Sequence, residues 1–175
     1  MIMIRPYEEG DWKDIWPIFR AIAAAGETYV YDREISEECA REIWLGRSND
    51  AVIIAEGENG VVNGTAKMGT NFAGPGSHVA TASFMVAPDK EGQGIGRSLA
   101  DHVLELAKKR AFSAVQFNAV VETNFRAVAL WQSLGFTIVG TIPGAFVHPR
   151  HGYVGLHVMH KALDASAERA PEEES

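Results

Sequence analysis

The chain contains a single cysteine, Cys39, among 175 residues. One thiol excludes an intrachain disulfide and any two-cysteine metal clip, and it suits a reducing cytoplasm. Basic residues are in short supply: Lys+Arg number 16 against 23 Asp+Glu, for a net charge of −7. Such a chain has no general attraction for nucleic acid, whose phosphates reward a basic surface. No apolar run approaches the roughly 20 residues that span a bilayer, so no membrane partner is expected. Met1-Ile-Met-Ile-Arg-Pro6 is too short for a signal peptide and reads as a strand. The six histidines have no repeated ligand spacing, which speaks against a metal site. What remains, 46% hydrophobic and 22% charged, is ordinary for one globular domain.

That domain is expected over residues 1–163, with an acidic, disordered tail over 164–175. Ile2 to Tyr7 reads as a first strand. Trp12, Ile15, Trp16, Phe19, Ile22 and Ala23 recur at helical spacing, with Pro17 expected to end or kink the first turn and Gly26 closing the segment. Ser36, followed by Glu37 and Glu38, caps a second helix to about Leu45. Ala51–Ala55 and Val61–Met68 flank Glu58-Asn-Gly60, which has hairpin chemistry. Strands follow at Val79–Val86 and Ala114–Val121, around a helix from Gly96 to about Arg110 that buries Leu99, Val103, Leu106 and Ala107. Asn124 opens a helix that Gly135 ends, and strands at Phe136–Ile142 and Tyr153–Met159 enclose a predicted loop over Pro143–Gly152. The order predicts a mixed α/β fold, its sheet mostly antiparallel with helices on both faces.

The informative stretch is Phe84-Met-Val-Ala-Pro-Asp-Lys-Glu-Gly-Gln-Gly-Ile-Gly-Arg-Ser-Leu99, where a strand enters a glycine-dense turn and a helix leaves it. Glycine allows positive φ and close approach of backbone to a ligand. The first helical N–H groups lack intrahelical partners and the helix dipole adds positive charge, which makes a phosphate cradle. A dinucleotide fingerprint is not met, because Arg97 stands at its third glycine and the next strand ends in Phe117-Asn118. No Gly-Lys-Ser/Thr is present, which excludes a P-loop.

These residues resemble the GNAT (GCN5-related N-acetyltransferase) family. Its signature Arg/Gln-x-x-Gly-x-Gly/Ala is met at both glycines by Glu91-Gly-Gln-Gly94-Ile-Gly96, with Glu91 in place of Arg or Gln. A second signature, Asn-x-x-Ala-x-x-Leu-Tyr-x-x-x-Gly-Phe, is met by Asn124 to Phe136 everywhere but Trp131. The stretch from Phe117 to Phe136, with Pro143-Gly-Ala145 and Gly152-Tyr-Val154, is also similar to the yeast-type L-azetidine-2-carboxylate acetyltransferases. The resemblance runs from Ile4 to about Leu163 and implies acetyl-CoA as cosubstrate, a small amine or amino acid as acceptor, and commonly a homodimer.

Residue by residue, it implies that the backbone of Phe84, Met85 and Val86 takes the pantetheine arm as an added strand, with an amide near Met85 or Val86 polarising the thioester. The amides of Gly92, Gln93, Gly94, Ile95, Gly96 and Arg97 hold the pyrophosphate. Asn124 bonds the arm, or is simply an N-cap. Trp131 replaces the Tyr that often serves as general acid. Indole is no practical proton donor, so Trp131 is assigned to packing beside the cofactor. A common base, Glu, is here Ala119, which leaves water or Glu27 to take the proton. Asn118, inside an apolar strand, reads either as a core amide bonded to backbone or as a cleft residue; the subgroup implies a role in acceptor binding and catalysis. Tyr29 and Tyr31, near Glu27, and Tyr153 are candidates for the acceptor pocket, with His157 on the same strand face as Tyr153. His148, Arg150 and His151 lie in the predicted last loop. The competing readings are a protein N-terminal or aminoacyl acetyltransferase, and a non-catalytic acyl-CoA-binding module.

Overall fold

The computed structural model describes residues 2–48 and 50–163; the tail predicted over 164–175 lies outside them. Seven strands form one sheet in the order β1-β2-β3-β4-β5-β7-β6. They are β1 Met3–Pro6, β2 Ala51–Glu56, β3 Val62–Thr70, β4 Val79–Val86, β5 Ala114–Val121, β6 Thr137–His148 and β7 Gly152–Ala162. The helices are α1 Trp12–Ala25, α2 Glu37–Leu45, α3 Ile95–Lys109 and α4 Phe125–Ser133. Neighbouring strands are antiparallel except β4 and β5, which run parallel with α3 as their crossover. Among the described residues no helix is long and apolar enough to cross a membrane.

Each face of the sheet carries its own core. Ala66, Met68, Leu99, Val103, Phe117, Trp131 and Met159 pack beneath α3 and α4. Ile15, Phe19, Trp44, Ile54 and Met85 pack beneath α1 and α2. The period of two along a strand makes this division: on β3, Ala66 and Met68 enter one core, while Thr65 between them meets Trp44 in the other, its hydroxyl accepting from Nε1 at 3.2 Å. Each fully buried large apolar side chain contributes about 1.5–3 kcal/mol.

The caps follow local chemistry. Ser36 Oγ accepts from the Cys39 amide, and Asn124 Oδ1 from the Ala127 amide. Pro17 does not end α1, which is continuous to Ala25; Pro17 forfeits only its own bond to the preceding turn. The predicted loop over Pro143–Gly152 is mostly strand, because β6 extends to His148 and β7 starts at Gly152. Pro143 and Gly144 are absorbed in a register shift between Ile142 and Phe146 on an edge strand, where proline's missing N–H costs no ladder bond. His148 is therefore buried rather than in a solvated loop, its Nδ1 accepting from the Arg150 amide at 3.1 Å.

Candidate active site

The parallel pairing of β4 with β5 lasts only for Val79↔Ala114 and Ala80↔Val115. Beyond it the strands diverge, and β5 carries a register irregularity between Phe117 and Val120. The gap opens into a cavity of about 860 Å³ that reaches both faces of the sheet. That volume falls in the range of ligand and cofactor sites.

On the α3–α4 side its walls include Phe84, Val86, the glycine loop, Asn124, Ala127 and Trp131. Gly92 (φ 77°) and Gly94 (φ 81°) are in the left-handed region, and nothing lies within 4 Å of where a Cβ would stand on either. Side chains there would fill the cavity's floor. Gly94 caps α3, so the first amides of the helix face this space without intrahelical partners. Gly92, Gly94, Ile95, Gly96 and Arg97 all line the cavity, whereas Gln93 is exposed and contributes no wall. Glu91, the departure from the family signature, is paired with Arg126 at 2.7 Å, so its charge at the mouth is neutralised by a residue two positions beyond Asn124. Trp131 is buried among Phe84 and Phe117, each 4.8 Å away between ring centroids, and Phe136.

The open edge of β4 alternates. Phe84 turns both its N–H and its C=O into the gap, where the Tyr29 hydroxyl accepts from one at 2.9 Å and donates to the other at 2.6 Å. Ala87 donates to Asn63 on the β3 side. By the antiparallel pattern Met85 then faces β3 with its amide, and its side chain is 1% exposed in the α1–α2 core. Of the three expected residues, Phe84 and Val86 thus turn their amides to the gap and Met85 turns its amide to β3.

On the α1–α2 side lie Thr28, Tyr29, Tyr31, Ser83, Asn118 and, at the end, Arg47, Asp50 and Lys67. Tyr29 and Tyr31 stack at 5.1 Å, and Tyr31 stacks in turn on Phe19. Burial pushes both phenols above the usual tyrosine range, so both stay protonated at neutral pH. Asn118 is exposed to the cavity rather than buried, because the period of two turns it away from the core that Phe117 enters. It donates to Asn71 Oδ1 at 2.6 Å and accepts from Gln116 Nε2 at 2.8 Å, which fixes the orientation of its amide.

Glu27 and Tyr153, expected at the site, lie away from the cavity wall. Glu27 pairs with Arg150 at 3.0 Å, tying the α1–α2 loop to the β6–β7 turn, and does not line the cavity. Tyr153 is 79% exposed at the start of β7, outside the cavity, because the longer strands carry it to the outer hairpin. His157 is likewise no wall residue and bonds Thr141 Oγ1 at 2.7 Å. Asn71, Arg126, Arg47, Asp50 and Lys67 were not singled out in the sequence. Arg126 had a signal, two positions beyond Asn124 in the first turn of α4; the rest meet only through long-range packing. Among the described residues no group of three His, Cys, Asp or Glu side chains is placed to hold a metal.

The chain thus has a parallel strand pair that splits beside a glycine-capped helix, with a cavity through the sheet. The acetyltransferase (GNAT) family model matches residues 12–136, and the chain belongs to that family of enzymes. A GCN5-related N-acetyltransferase from Kribbella flavida is 52% identical in sequence, with a TM-score of 0.90 over 93% of this chain and 98% of that one. The N-acetyltransferase aca1 of Schizosaccharomyces pombe is 37% identical over 89 residues, 50% of this chain and 43% of aca1. The L-amino acid N-acyltransferase MnaT of Escherichia coli is 33% identical over 93 residues, 53% of each chain. The matched stretch thus spans about half the length of these curated relatives or less.

Proposed function

We propose that the protein is an acetyl-CoA-dependent N-acetyltransferase of the cytoplasm that acetylates a small amine or amino acid by direct transfer, with both substrates in the cavity together. L-azetidine-2-carboxylate, a proline analogue, is the first acceptor to try. The observation that carries this reading is the glycine loop, whose open space above Gly92 and Gly94 faces a split sheet.

Acetyl-CoA supplies an acetyl group held as a thioester. The free amides from Ile95 to Arg97 and the dipole of α3 suit a pyrophosphate. The edge of β4 at Phe84 and Val86 offers the alternating donors and acceptors that an extended, amide-bearing arm takes as an added strand. An amide there donates to oxygen that gains negative charge during transfer. Asn124 combines its capping role with a place on the wall. Asn118, held by Asn71 and Gln116, orients the attacking amine. With Glu27 paired to Arg150 and no carboxylate at Ala119, the proton of the amine leaves through water. Trp131 fills space among aromatic rings and donates no proton.

Release of free thiol from acetyl-CoA with a panel of small amines and amino acids tests the activity, and the rise in melting temperature with acetyl-CoA tests the site. Gly94→Val, which puts a β-branched side chain at φ 81° over the cradle, is expected to abolish that rise in a folded protein. A melting shift without thiol release from any acceptor would mean a binding module; neither signal would reject the reading.

A further inference from the structure

We propose that the acceptor carries a carboxylate and that Lys67 and Arg47 read it at the end of the cavity on the α1–α2 side; this rests on the acetyltransferase reading above. Lys67 stands on β3 between Ala66 and Met68, which both enter the α3–α4 core, so its side chain takes the opposite face. There its ammonium lies 5.5 Å from the centre of the Trp44 ring and donates to the Ile43 carbonyl at 2.5 Å. An ammonium has three donors, and the cavity runs alongside. Arg47 reaches the same end, with Nη1 3.4 Å from the Thr70 carbonyl. Asp50 completes the cluster. Its carboxylate lies against Gly69, where a Cβ would come within 1.8 Å of Oδ1, so glycine makes the room.

The wall residues at this end hold two cations and one carboxylate, in a chain whose net charge is −7; Glu38, Arg41 and Glu42 border Arg47 outside it. Burial also lowers the Lys67 pKa while Asp50 pulls it back up, the condition of a partly desolvated cation that gains from a further anion. The reach fits as well. Lys67 is the direct cross-strand partner of Ser83, and the next residue, Phe84, turns its amide into the gap. Neighbouring strands lie about 4.7–4.9 Å apart, so Lys67 stands one strand from the gap and, like Ser83, lines the cavity wall. The glycine loop lies beyond Val86, about 17 Å of strand past Thr81 and on the other face, so the two anion-binding ends do not compete. A polyamine would bring a second positive charge against Lys67 and Arg47, which selects against it.

The test compares thiol release with L-azetidine-2-carboxylate and the standard L-amino acids against the carboxamide of each. In the wild-type protein the carboxamides are expected to show KM raised about 10- to 100-fold, the range for losing a charge-assisted hydrogen bond. Lys67→Met keeps the aliphatic stem over Trp44; it and Arg47→Gln are each expected to narrow the gap between acid and amide, with the loss in KM rather than kcat. The melting shift with acetyl-CoA, read on the same preparations, is expected to persist. Equal use of acid and amide by the wild-type protein overturns the carboxylate site while leaving the acetyltransferase reading intact, and needs no variant to fold. A preference that survives both substitutions overturns the assignment to Lys67 and Arg47. Absence of both thiol release and melting shift in the wild-type protein rejects the acetyltransferase reading, and the carboxylate site falls with it.

Discussion

Removing the Tyr29 hydroxyl is expected to loosen the empty protein and tighten its hold on acetyl-CoA. That hydroxyl closes both backbone groups of Phe84 at the split, accepting at 2.9 Å and donating at 2.6 Å. Tyr29→Phe leaves the ring stacked on Tyr31 and takes away these two bonds and the hydroxyl's interaction with Ser83. A neutral hydrogen bond contributes about 1 kcal/mol net, and water entering the gap replaces part of it, so the loss is about 1–2 kcal/mol. For a domain of this size that lowers the melting temperature by about 2–8 °C. If the cofactor's arm takes the same backbone groups, it must displace the hydroxyl in the wild-type protein and meets no competitor in the variant. Its dissociation constant is then expected to fall, by about tenfold for 1.4 kcal/mol. Scanning calorimetry of both proteins without ligand, and titration calorimetry with acetyl-CoA, give the two numbers. A variant that melts as the wild type does, or that binds acetyl-CoA more weakly, refutes the reasoning; the second result would make Tyr29 a contact of the cofactor rather than a stand-in for it.

Asn118→Ala is expected to lower kcat about 100-fold with the acetyl-CoA melting shift retained. Asn71→Ala, which breaks the same amide pair from behind, serves as the control: equal loss in both variants means that Asn118 acts only while Asn71 holds it, and full activity in folded Asn118→Ala removes it from the mechanism. Trp131→Phe is expected to keep kcat within about tenfold and to weaken acetyl-CoA binding, because a smaller ring stays in contact with Phe84 and Phe117; a fall beyond about 100-fold would give Trp131 a part in proton transfer. The Arg5 guanidinium, 2.7 and 2.8 Å from the two oxygens of Asp11, holds that carboxyl below the usual range. Its stabilisation is complete above the unfolded value of about 3.9 and is lost as pH falls through the lower folded value. Asp11→Asn should therefore be less stable than wild type in urea at neutral pH, with the difference shrinking in strong acid; a gap that stays constant into strong acid contradicts the pairing.

Local chemistry carried much of the fold into view. β4 and β5 occupy the same residues, Val79–Val86 and Ala114–Val121, that their apolar runs predict, because short runs bounded by turn chemistry suffice to define a strand. The caps at Ser36 and Asn124 and the left-handed glycines at Gly92 and Gly94 were also legible, since each depends on neighbours a few positions away. The sequence by itself thus determined the strand, glycine turn and helix that wall one side of the cavity. What it could not determine was who meets whom across the split. The facing of Met85 depends on its pairing with Thr65, and the company of Lys67, Arg47 and Asp50 on where β2, β3 and α2 end up. Asn71 and Asn118 are 47 positions apart, and Glu27 reaches Arg150 across most of the chain. The length of β6 was hidden because Pro143 and Gly144 look like a turn, and only the edge position of that strand makes them harmless. Strand register and sheet order are properties of long-range packing, and a shift of one residue would turn every one of these side chains to the other face.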